Sequence, residues 1–382
     1  MKRIALVTTS LNEEQTLKPF ICALEQDPHV DLGRISWTGH SDARMDLRYL
    51  RVETDNILLD NQFHLTLDRQ EKFAATSQDF NLQLIFQRAL TALSPELVIV
   101  FGNSPMAFAA ASAANLDLKV PVAHLNGGTK DIDILGPAYG DATTRLSTLH
   151  FTACHAYARR VKEAGAHPGL VFNVGTLESP DRQPQLNMAT LARQFNWSPR
   201  QRFILVAPQA DAALGSKNTI WVNQLIQTMA APELSDFKFG IILPPPTGLN
   251  NLVRQPLEAF IRENPEQCVA LPGLDTPVGH SALAHCAALV GNIPEHLETA
   301  HLQSVPHVFT GSGLCDISPL ANVIRATPAP DHLIPALCRA QGPEFLIKVA
   351  SHESPLIQAN TPDRIKSVLI EYLYQLQSHP SR

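Results

Sequence analysis

Short, continuous runs of apolar residues alternate with segments of helical periodicity along most of the chain. The first run, at positions 4–7, ends in threonine and serine and is followed by a helical segment from about 13 to 24. Similar runs follow at 97–102, 120–125 and 170–175. A continuous apolar run bounded by polar residues is typical of a parallel strand that is buried on both faces. Repetition of strand and helix therefore predicts a doubly wound parallel sheet.

A polar, proline-containing stretch at 178–185 interrupts this alternation and is typical of a linker between domains. The pattern then resumes, with apolar runs at 203–208, 240–244, 288–292 and 306–311. We therefore predict a Rossmann-like N-terminal domain over 1–180 and a Rossmann-like C-terminal domain over 181–382. Such an α/β chain is of the GT-B-like class, and its ligand cleft is expected between the domains, at the carboxyl ends of the strands. A final helical segment is expected to contribute to packing rather than to function. In one possible arrangement it packs back on the N-terminal domain.

Composition and charge narrow the classes of protein and partner. The 382 residues are 45% hydrophobic and 17% charged, which is typical of a globular chain with a large core. The net charge is -6 and no basic stripe is present, so we expect no nucleic-acid partner. No apolar run approaches the roughly 18 residues of a membrane helix, and the chain start is too strand-like for a signal peptide. The six cysteines lack CxxC or metal-type spacing, so we expect reduced thiols and a cytoplasmic protein without membrane contact.

A series of motifs in the middle of the chain is more specific than the hydrophobic pattern. VAHLNGG at 122–128, TRLSTLHF at 144–151 and VFNVGTL at 171–177 lie in close succession. This region resembles the hydrolysing UDP-N-acetylglucosamine 2-epimerases of sialic-acid biosynthesis, which carry H-I-H-G-G-E, D-E-x-I-R-H, T-K-L-x-x-L-H-F and N-V-G-A-L at nearly the same spacing. The residues that fit this pattern are His124, Gly127, Gly128, Thr144, Leu146, Leu149, His150, Phe151, Asn173, Val174, Gly175 and Leu177.

The resemblance extends beyond these motifs. Gly102 fits the family's G-D-R segment, Gly291 and Asn292 fit its G-N-S-S-S-G turn, and Asn322 begins an N-V-I segment. The resemblance therefore covers nearly the whole chain. It implies the two-domain architecture, chemistry on a nucleotide sugar, and a dimer.

The residues that such an enzyme needs for proton transfer are replaced. The resemblance implies a reaction that removes the proton from sugar C2, eliminates UDP and adds water to the glycal, which requires acids and bases. Asn103 stands at the aspartate of G-D-R, and an amide cannot take up a proton at neutral pH. Asn126 and Thr129 stand where the family has histidine or glutamate. Gly136 begins GPAYGD, which has lost the charged residues of D-E-x-I-R-H, and Gln209 stands where the family has histidine.

The positions that would hold phosphate and ribose are also changed. The family's serine-rich turn reads GNIPEH, in which Pro294 removes an amide donor and Glu295 adds a charge of the same sign as phosphate. Thr299 stands at the ribose-binding glutamate, although Glu298 is adjacent to it. We therefore expect a ligand that carries less phosphate charge than UDP.

Several glycine and polar positions near the ends of predicted strands are candidates for lining the ligand cleft. They are Ser10, His40, Gly102, His124, Gly127, Gly128, Gly291, Asn292, Glu295, His296 and Glu298. A histidine beside a buried strand is more often a hydrogen-bonded core residue, and a glycine pair also serves a tight turn. Both interpretations stay open for His124 and for the glycine pair.

Other carboxylates could replace the lost acids and bases. The candidates are Asp131, Asp133 and Asp141, which lie close to the changed motifs in the sequence. The alternative interpretation is that they are solvated loop aspartates, and we favour it. No histidine pair lies four residues apart on one helix with an added carboxylate. We therefore expect no metal and no cofactor.

Two classes of function stay open. The first is an active enzyme on a nucleotide sugar, a hydrolysing or altered 2-epimerase that uses relocated carboxylates. The second is a divergent, non-catalytic family member of nucleotide-sugar and surface-glycan metabolism that binds a nucleotide sugar or a related small molecule. Loss of the matched acids and bases favours the second class. The expected dimer is either a homodimer or a heterodimer with a paralogue, and the alanine-rich segment 106–114 is its candidate contact unless it packs on its own sheet.

Overall fold

The chain forms two compact units, each with its own sheet and core. The computed structural model describes residues 1–37, 50–53, 75–129, 136–178, 184–246, 248–274, 276–293, 295–311 and 320–378. Unit 1 comprises Met1–Thr129, Leu135–Ser179 and Leu356–Arg382, and unit 2 is formed mainly by Pro180–Pro355.

The sheet of unit 1 is almost entirely parallel. Its seven strands in the described ranges are β1 (Lys2–Thr8), β2 (Val30–Trp37), β3 (Leu50–Glu53), β4 (Leu97–Phe101), β5 (Val122–Leu125), β6 (Leu149–Thr152) and β7 (Val171–Asn173). Their order is β3-β2-β1-β4-β5-β6-β7, and only the β2–β3 pair is antiparallel. The order reverses between β1 and β4. Such a reversal is the switch point at whose carboxyl edge doubly wound sheets bind ligands.

Helices cover both faces of this sheet. They are α1 (Leu11–Glu25), α2 (Ala75–Leu93), α3 (Pro105–Ser112), α4 (Gly136–Leu146) and α5 (His155–Glu163). Successive residues of β1 point to opposite faces, so Ile4 and Leu6 pack with Phe20 of α1 in one cluster. Ala5 and Val7 pack with residues of α2 and α3 in the other cluster. Burial on both faces explains why β1 and β4 are continuous apolar runs.

The alanine-rich helix α3 is buried within unit 1. Its residues Met106, Ala107 and Ala109–Ser112 are buried, and it packs against α2 and α4. The chain then continues as one π-helical segment, Ala113–Asp117. Packing inside its own unit accounts for the apolar composition of α3, so the dimer expected from this segment stays a prediction.

Unit 2 repeats the doubly wound arrangement. Its strands are β8 (Phe203–Ala207), β9 (Lys238–Ile242), β10 (Cys268–Leu271), β11 (Ala288–Gly291), β12 (His307–Phe309) and β13 (Val323–Arg325). Its helices are α6 (Met188–Gln194), α7 (Asn218–Met229), α8 (Asn251–Glu263), α9 (Pro277–His285), α10 (Glu295–Leu302), α11 (Pro330–Ala340) and α12 (Pro343–Ser351). The strand order β10-β9-β8-β11-β12-β13 is parallel throughout and reverses between β8 and β11.

The last helix, α13 (Thr361–Ser378), belongs to unit 1. Ile365, Leu369 and Leu373 enter the cluster that contains the buried face of α1. Thr361 donates its hydroxyl to the carbonyl oxygen of Val174 at 2.6 Å, and Lys366 lies 3.9 Å from a carboxylate oxygen of Asp27. The end of the chain therefore completes the core of the unit in which the chain begins.

The prediction of two doubly wound α/β units is confirmed. The apolar pattern did not reveal β2 or β3. Asp31 and Arg34 interrupt the apolar run of β2, and β3 has only four residues. Charged side chains fit here because Asp31 pairs with Arg3 and Arg34 pairs with Glu14.

Candidate functional site

The loops after β1, β4 and β5 bring several predicted site residues to the carboxyl edge of unit 1. Ser10 follows β1 and caps α1, its hydroxyl accepting the Glu13 amide at 3.1 Å. Asn103 follows β4, and the neighbouring Ser104 caps α3 by accepting the Ala107 amide at 3.0 Å. Asn126 follows β5 with a positive φ of 58°. These loops form the candidate site of unit 1.

Asn103 and Thr129, which stand at an aspartate and at a histidine or glutamate of the resembled motifs, are bonded to each other. The Asn103 side-chain amide donates to the Thr129 carbonyl oxygen at 3.2 Å and to the Thr129 hydroxyl. Asn103 is 8% exposed, and its Oδ1 is buried without a hydrogen-bond partner. The amide orientation follows from the contact, because the opposite orientation would set Oδ1 against a carbonyl oxygen.

Gly140 makes room for this arrangement. It lies in α4 within the segment GPAYGD, and a Cβ atom at this position would lie 2.7 Å from Oδ1 of Asn103. Any larger side chain would displace Asn103 from its place. Asn103 therefore links two other altered motif positions into one cluster, because it is hydrogen-bonded to Thr129 and packs against Gly140.

His124 and His150 are core residues on adjacent strands. His124 is fully buried, and its Nε2 is 2.8 Å from the Gly102 carbonyl oxygen. Burial lowers the pKa of His124 to about 4, against the opposing effect of the Gly102 contact. Burial, followed by the proximity of His124, also lowers the pKa of His150 to about 4. Both imidazoles are therefore neutral at physiological pH, and the place of His124 in the ligand cleft stays a prediction.

The glycine pair after β5 is required by close packing. Gly128 has a φ of +85°, and a Cβ atom on it would lie 2.5 Å from the Tyr157 carbonyl oxygen of α5. A Cβ atom on Gly127 would lie 3.0 Å from the His124 ring. Arg160 of α5 also donates to the Gly128 carbonyl oxygen at 2.9 Å. The pair thus lets the loop lie against α5.

Glu13 is a carboxylate at this edge that the sequence did not single out. It accepts the backbone amide and the hydroxyl of Thr9, each at 2.6 Å. Burial raises the pKa of the Glu13 carboxyl to about 7, although the Thr9 and Ser10 contacts oppose the shift. The sequence does contain a pattern that could have identified Glu13, because Ser-x-x-Glu at the start of a helix is typical of a capping box.

The remaining unit 1 candidates lie on α4 or outside the described residues. Asp141 is exposed on α4, and Gly136 begins that helix. His40, Asp131 and Asp133 lie outside the described residues.

In unit 2, Asn292 joins the two loops of the switch point. Its Oδ1 accepts the Gln209 backbone amide at 2.8 Å, and its Nδ2 donates to the Gln209 carbonyl oxygen at 2.7 Å. Asn292 follows Gly291 at the end of β11, whereas Gln209 follows β8 and has an exposed side chain. Through these hydrogen bonds, the Asn292 side chain holds the two loops together. Gln209 has no imidazole to replace the histidine that the family has at this position.

His296 and His307 place neutral imidazoles beside the altered turn. The Nδ1 atom of His296 is buried without a hydrogen-bond partner. Burial lowers its pKa to about 4, and burial together with His296 lowers the pKa of His307 to about 3. Glu298 is half-buried on α10, while Pro294 and the side chain of Glu295 lie outside the described residues.

The described side chains do not form a metal centre. Among the residues whose placement is given, no group of three or more His, Cys, Asp or Glu side chains could hold a metal ion. The described cysteines Cys22, Cys154, Cys268, Cys286 and Cys338 are free thiols. No helix in the described ranges is long and apolar enough to cross a membrane.

Two Rossmann-like units, each with polar loops at a switch point, define a chain of the GT-B-like class. The chain belongs to the UDP-N-acetylglucosamine 2-epimerase family, whose family model matches residues 22–369. The resemblance stated from the motifs is therefore confirmed.

Curated relatives are distant in sequence. The chain is 24% identical over 185 residues to a GDP/UDP-N,N'-diacetylbacillosamine 2-epimerase (hydrolyzing) of Campylobacter jejuni, covering 47% of this chain and 46% of that protein. It is 25% identical over 177 residues to polysialic acid biosynthesis protein P7 of Escherichia coli, covering 46% and 45%. The match thus spans about half the length of these two relatives. A UDP-N,N'-diacetylbacillosamine 2-epimerase (hydrolyzing) of Legionella pneumophila is 22% identical, with 76% of each chain covered.

Solved structures share the fold over nearly the full chain. UDP-GlcNAc 2-epimerase from Neisseria meningitidis, bound to UDP-GlcNAc, matches with a TM-score of 0.75 and 16% identity, covering 97% of this chain and 100% of that chain. The Methanocaldococcus jannaschii UDP-GlcNAc 2-epimerase in complex with UDP-GlcNAc and UDP matches with a TM-score of 0.71 and 15% identity, covering 97% and 99%. At these identities the similarity establishes the fold.

Proposed function

We propose that this chain is a divergent member of the 2-epimerase family that binds a nucleotide sugar or a related small molecule and lacks ordinary UDP-N-acetylglucosamine 2-epimerase activity. Its place is in nucleotide-sugar and surface-glycan metabolism. One observation carries the proposal: at the edge where acids and bases would be needed, the Asn103 side-chain amide is hydrogen-bonded to Thr129, and its Oδ1 is packed against Gly140.

The chemistry of this cluster supports the absence of proton transfer. Neither the Asn103 amide nor the Thr129 hydroxyl ionises near neutral pH, so neither group can act as an ordinary general acid or base. Moreover, the donor atoms of Asn103 are engaged with Thr129 and its Oδ1 is packed against Gly140. General acids and bases each contribute about a hundred- to ten-thousand-fold to rate, so their joint replacement is expected to leave a rate near background.

The ligand class rests on the family relationship and on the altered turn of unit 2. Two structural neighbours were solved with UDP-GlcNAc, which supports a nucleotide sugar or a related molecule. In this chain, Asn292 is engaged with the Gln209 backbone, and His296 stands in the turn as a neutral imidazole. These features favour a ligand with less phosphate charge than UDP.

Exchange of the C2 proton tests this proposal directly. The purified full-length chain is incubated with UDP-N-acetylglucosamine in deuterated water, and the C2 proton is followed by NMR. We expect no loss of the C2 signal above a protein-free control, and no release of UDP. Steady exchange or UDP release by the unmodified chain would contradict the proposal.

A set of variants shows whether an absence of C2 exchange results from the replaced acids and bases or from an inactive protein preparation. Asn103→Asp, Thr129→Glu, Gly136→Asp and Gln209→His are introduced singly and together. Asn223→Asp, on the exposed face of α7, makes the same chemical change away from the site. Exchange that appears in the combined variant and not in Asn223→Asp would support loss of the acids and bases as the cause.

The alternative of an active enzyme depends on other carboxylates. Asp141 is exposed on α4, whereas Asp131 and Asp133 lie outside the described residues. Exchange by the unmodified chain that disappears in Asp131→Asn or Asp133→Asn would establish this alternative.

A further inference from the structure

A groove lies at the amino edge of the unit 2 sheet. Its walls are the segments that lead into three neighbouring strands, which are 199–202 before β8, 284–287 before β11 and 303–306 before β12. Gln341 and Leu346 also line it. Its volume is about 480 Å³, which is in the range of small-molecule sites. Because the strands are parallel, this groove is on the opposite edge of the sheet from the loops of the switch point. We call it the amino-edge groove.

The amino-edge groove carries positive charge without a matching acid. Arg200 and Arg202 line it, and none of its described lining residues is an aspartate or a glutamate. The chain as a whole, by contrast, has a net charge of -6. The Arg200 side chain is exposed, and in the described part of the chain it has no hydrogen-bond or ion-pair partner. The groove therefore offers two guanidinium groups to an anion, and no acidic side chain of its lining competes for them.

Arg202 is held in place by its neighbours. Its guanidinium lies 4.8 Å from the centroid of the Phe237 ring and donates to Oε1 of Gln341, across 139 residues of sequence. Gln341 in turn donates its amide to the carbonyl oxygen of Ala287. A guanidinium has five N–H donors, so others stay available to a ligand. Because the side chain is fixed before a ligand arrives, binding costs less conformational entropy.

Apolar side chains and one unpaired amide oxygen form other parts of the groove. Met188, Val305 and Leu346 line it, and Leu346 is 40% exposed. Gln303 lines it as well, and its Oε1 is buried without a hydrogen-bond partner. Buried polar atoms are nearly always hydrogen-bonded, so an unpaired one calls for an explanation such as a donor from a ligand or from water. Guanidinium groups beside apolar surface suit a molecule that combines an acidic group with an apolar part.

We propose that the amino-edge groove is a second small-molecule site, which takes an organic anion. Arg200 and Arg202 bind its carboxylate or phosphate oxygens, and its apolar part packs against Met188 and Leu346. Binding changes no covalent bond. The site is separate from the carboxyl edge and goes beyond the proposed function.

An ordinary solvated surface is the alternative interpretation. Exposed arginines attract any anion weakly, and salt screens that attraction. A ligand site differs in two respects. The apolar part of the ligand contributes to affinity, and binding is confined to the groove and depends on Arg200. Measuring where the anion binds, and how its affinity responds to substitution of Arg200, therefore separates the two interpretations.

Methyl NMR locates binding within the full chain. The sequence contains five methionines, of which Met188 lines the groove, whereas Met106 and Met229 lie in the cores of the two units. The methionine methyl groups are labelled isotopically, and the Met188 signal is assigned with Met188→Leu. Three probes are titrated. Phenyl phosphate supplies a phosphate, benzoate supplies a carboxylate, and benzyl alcohol is the uncharged control with a similar ring.

We expect at least one of the two anions to shift the Met188 signal saturably, with a Kd on the order of 1 mM or lower. The Met106 and Met229 signals should stay in place. Benzyl alcohol should bind at least about tenfold more weakly, because it cannot form charge-assisted hydrogen bonds with the arginines. The anion that binds more tightly distinguishes a phosphate from a carboxylate as the natural acidic group.

Matched variants give a second readout. Arg200→Gln should weaken anion binding about tenfold, because it removes a charge-assisted contact. Arg200→Lys keeps the charge and loses the planar fork, so its affinity should lie between those of Arg200→Gln and the unmodified chain. Arg262→Gln changes an exposed arginine of α8 outside the groove lining and should bind as the unmodified chain does. Thermal unfolding establishes that each variant is folded.

Several results would overturn the amino-edge groove as a ligand site. They are the absence of a saturable Met188 shift with both anions, equal binding of benzyl alcohol, unchanged affinity in Arg200→Gln, or an equal loss in Arg262→Gln. None of these measurements uses UDP-N-acetylglucosamine or its C2 proton. Failure of the groove as a site and failure of the proposed function are therefore distinguished by separate experiments.

Discussion

The side-chain amide of Asn103 donates to the backbone carbonyl of Thr129 at 3.2 Å, across 26 residues of sequence. The same nitrogen also donates to the Thr129 hydroxyl. Two positions that stand at acid or base residues of the family motifs thus form a structural contact with one another. The contact gives each of the two residues a role in stability.

Asn103→Asp should destabilise the protein because it replaces a donor with an acceptor beside the Thr129 carbonyl. We expect a loss of about 1–3 kcal/mol in the free energy of unfolding. The loss should be larger at pH 8 than at pH 4.5, since a protonated carboxyl can still donate. Urea unfolding at both pH values measures this, with Asn223→Asp as the exposed control. Equal stability of Asn103→Asp and the unmodified chain at pH 8 would show that the amide donor is unimportant.

Gly140→Ala should destabilise the protein even though alanine favours a helix. A Cβ atom there would lie 2.7 Å from Asn103 Oδ1, and overpacking of this kind costs about 1–3 kcal/mol. In an Asn103→Ala background the same change should become neutral or stabilising by about 1 kcal/mol, because helix propensity then dominates. A double-mutant cycle by urea unfolding measures the coupling. A coupling energy near zero would argue against the contact.

Gly128→Ala and Gly102→Ala separate backbone conformation from close packing. Both glycines have positive φ, at +85° and +71°, but a Cβ atom on Gly102 would meet nothing within 4 Å. We expect Gly102→Ala to cost about 1–2 kcal/mol through its left-handed conformation. Gly128→Ala should cost a further 1–3 kcal/mol, roughly, because its Cβ would press on the Tyr157 carbonyl. Similar losses in the two variants would contradict the packing explanation.

Buried histidines should make the protein less stable as the pH falls. In the unfolded chain a histidine takes up a proton near pH 6.5, whereas folded His124 stays neutral down to about 4. The unfolded state therefore binds more protons in this window, and the free energy of unfolding falls by about 1.4 kcal/mol per pH unit for each such residue. His124→Gln should reduce this slope between pH 6 and 4.5 in urea unfolding. The exposed His29→Gln is the control, and identical slopes in both variants would refute the assignment.

Glu13 should make the protein less stable as the pH rises, which is opposite to the effect of the buried histidines. Its folded pKa is raised from 4.5 to about 7, so its stabilising contribution is complete below pH 4.5 and is lost as the pH rises through about 7. Glu13→Gln should therefore be more stable than the unmodified chain at pH 8 and similar to it at pH 5. Thermal unfolding at the two pH values measures the difference, with Glu14→Gln as the matched variant. The same stability difference at pH 5 and pH 8 would indicate that Glu13 does not hold a proton in the folded state.

The sequence by itself determined the architecture and the family. Runs such as that of β4 are apolar throughout because the strand is covered on both faces, and this requirement acts on neighbouring residues in the chain. The motifs at 122–128, 144–151 and 171–177 follow the same logic, since they combine strand residues with the loops that leave the strands. The sequence also determined that amide, hydroxyl and glycine groups replace charged ones at Asn103, Thr129 and Gly140.

Only the tertiary structure decided what those replacements do. Asn103, Thr129 and Gly140 meet because separate strands and a helix converge at one sheet edge, and no local pattern encodes such a meeting. The proton affinity of Glu13 likewise depends on burial and on its neighbour Thr9, which is in turn approached by Ser104 from another strand end. Local periodicity records whether a position is buried. Contact partners and desolvation depend on packing between distant segments, which is why the chemistry of this edge became apparent only in the folded chain.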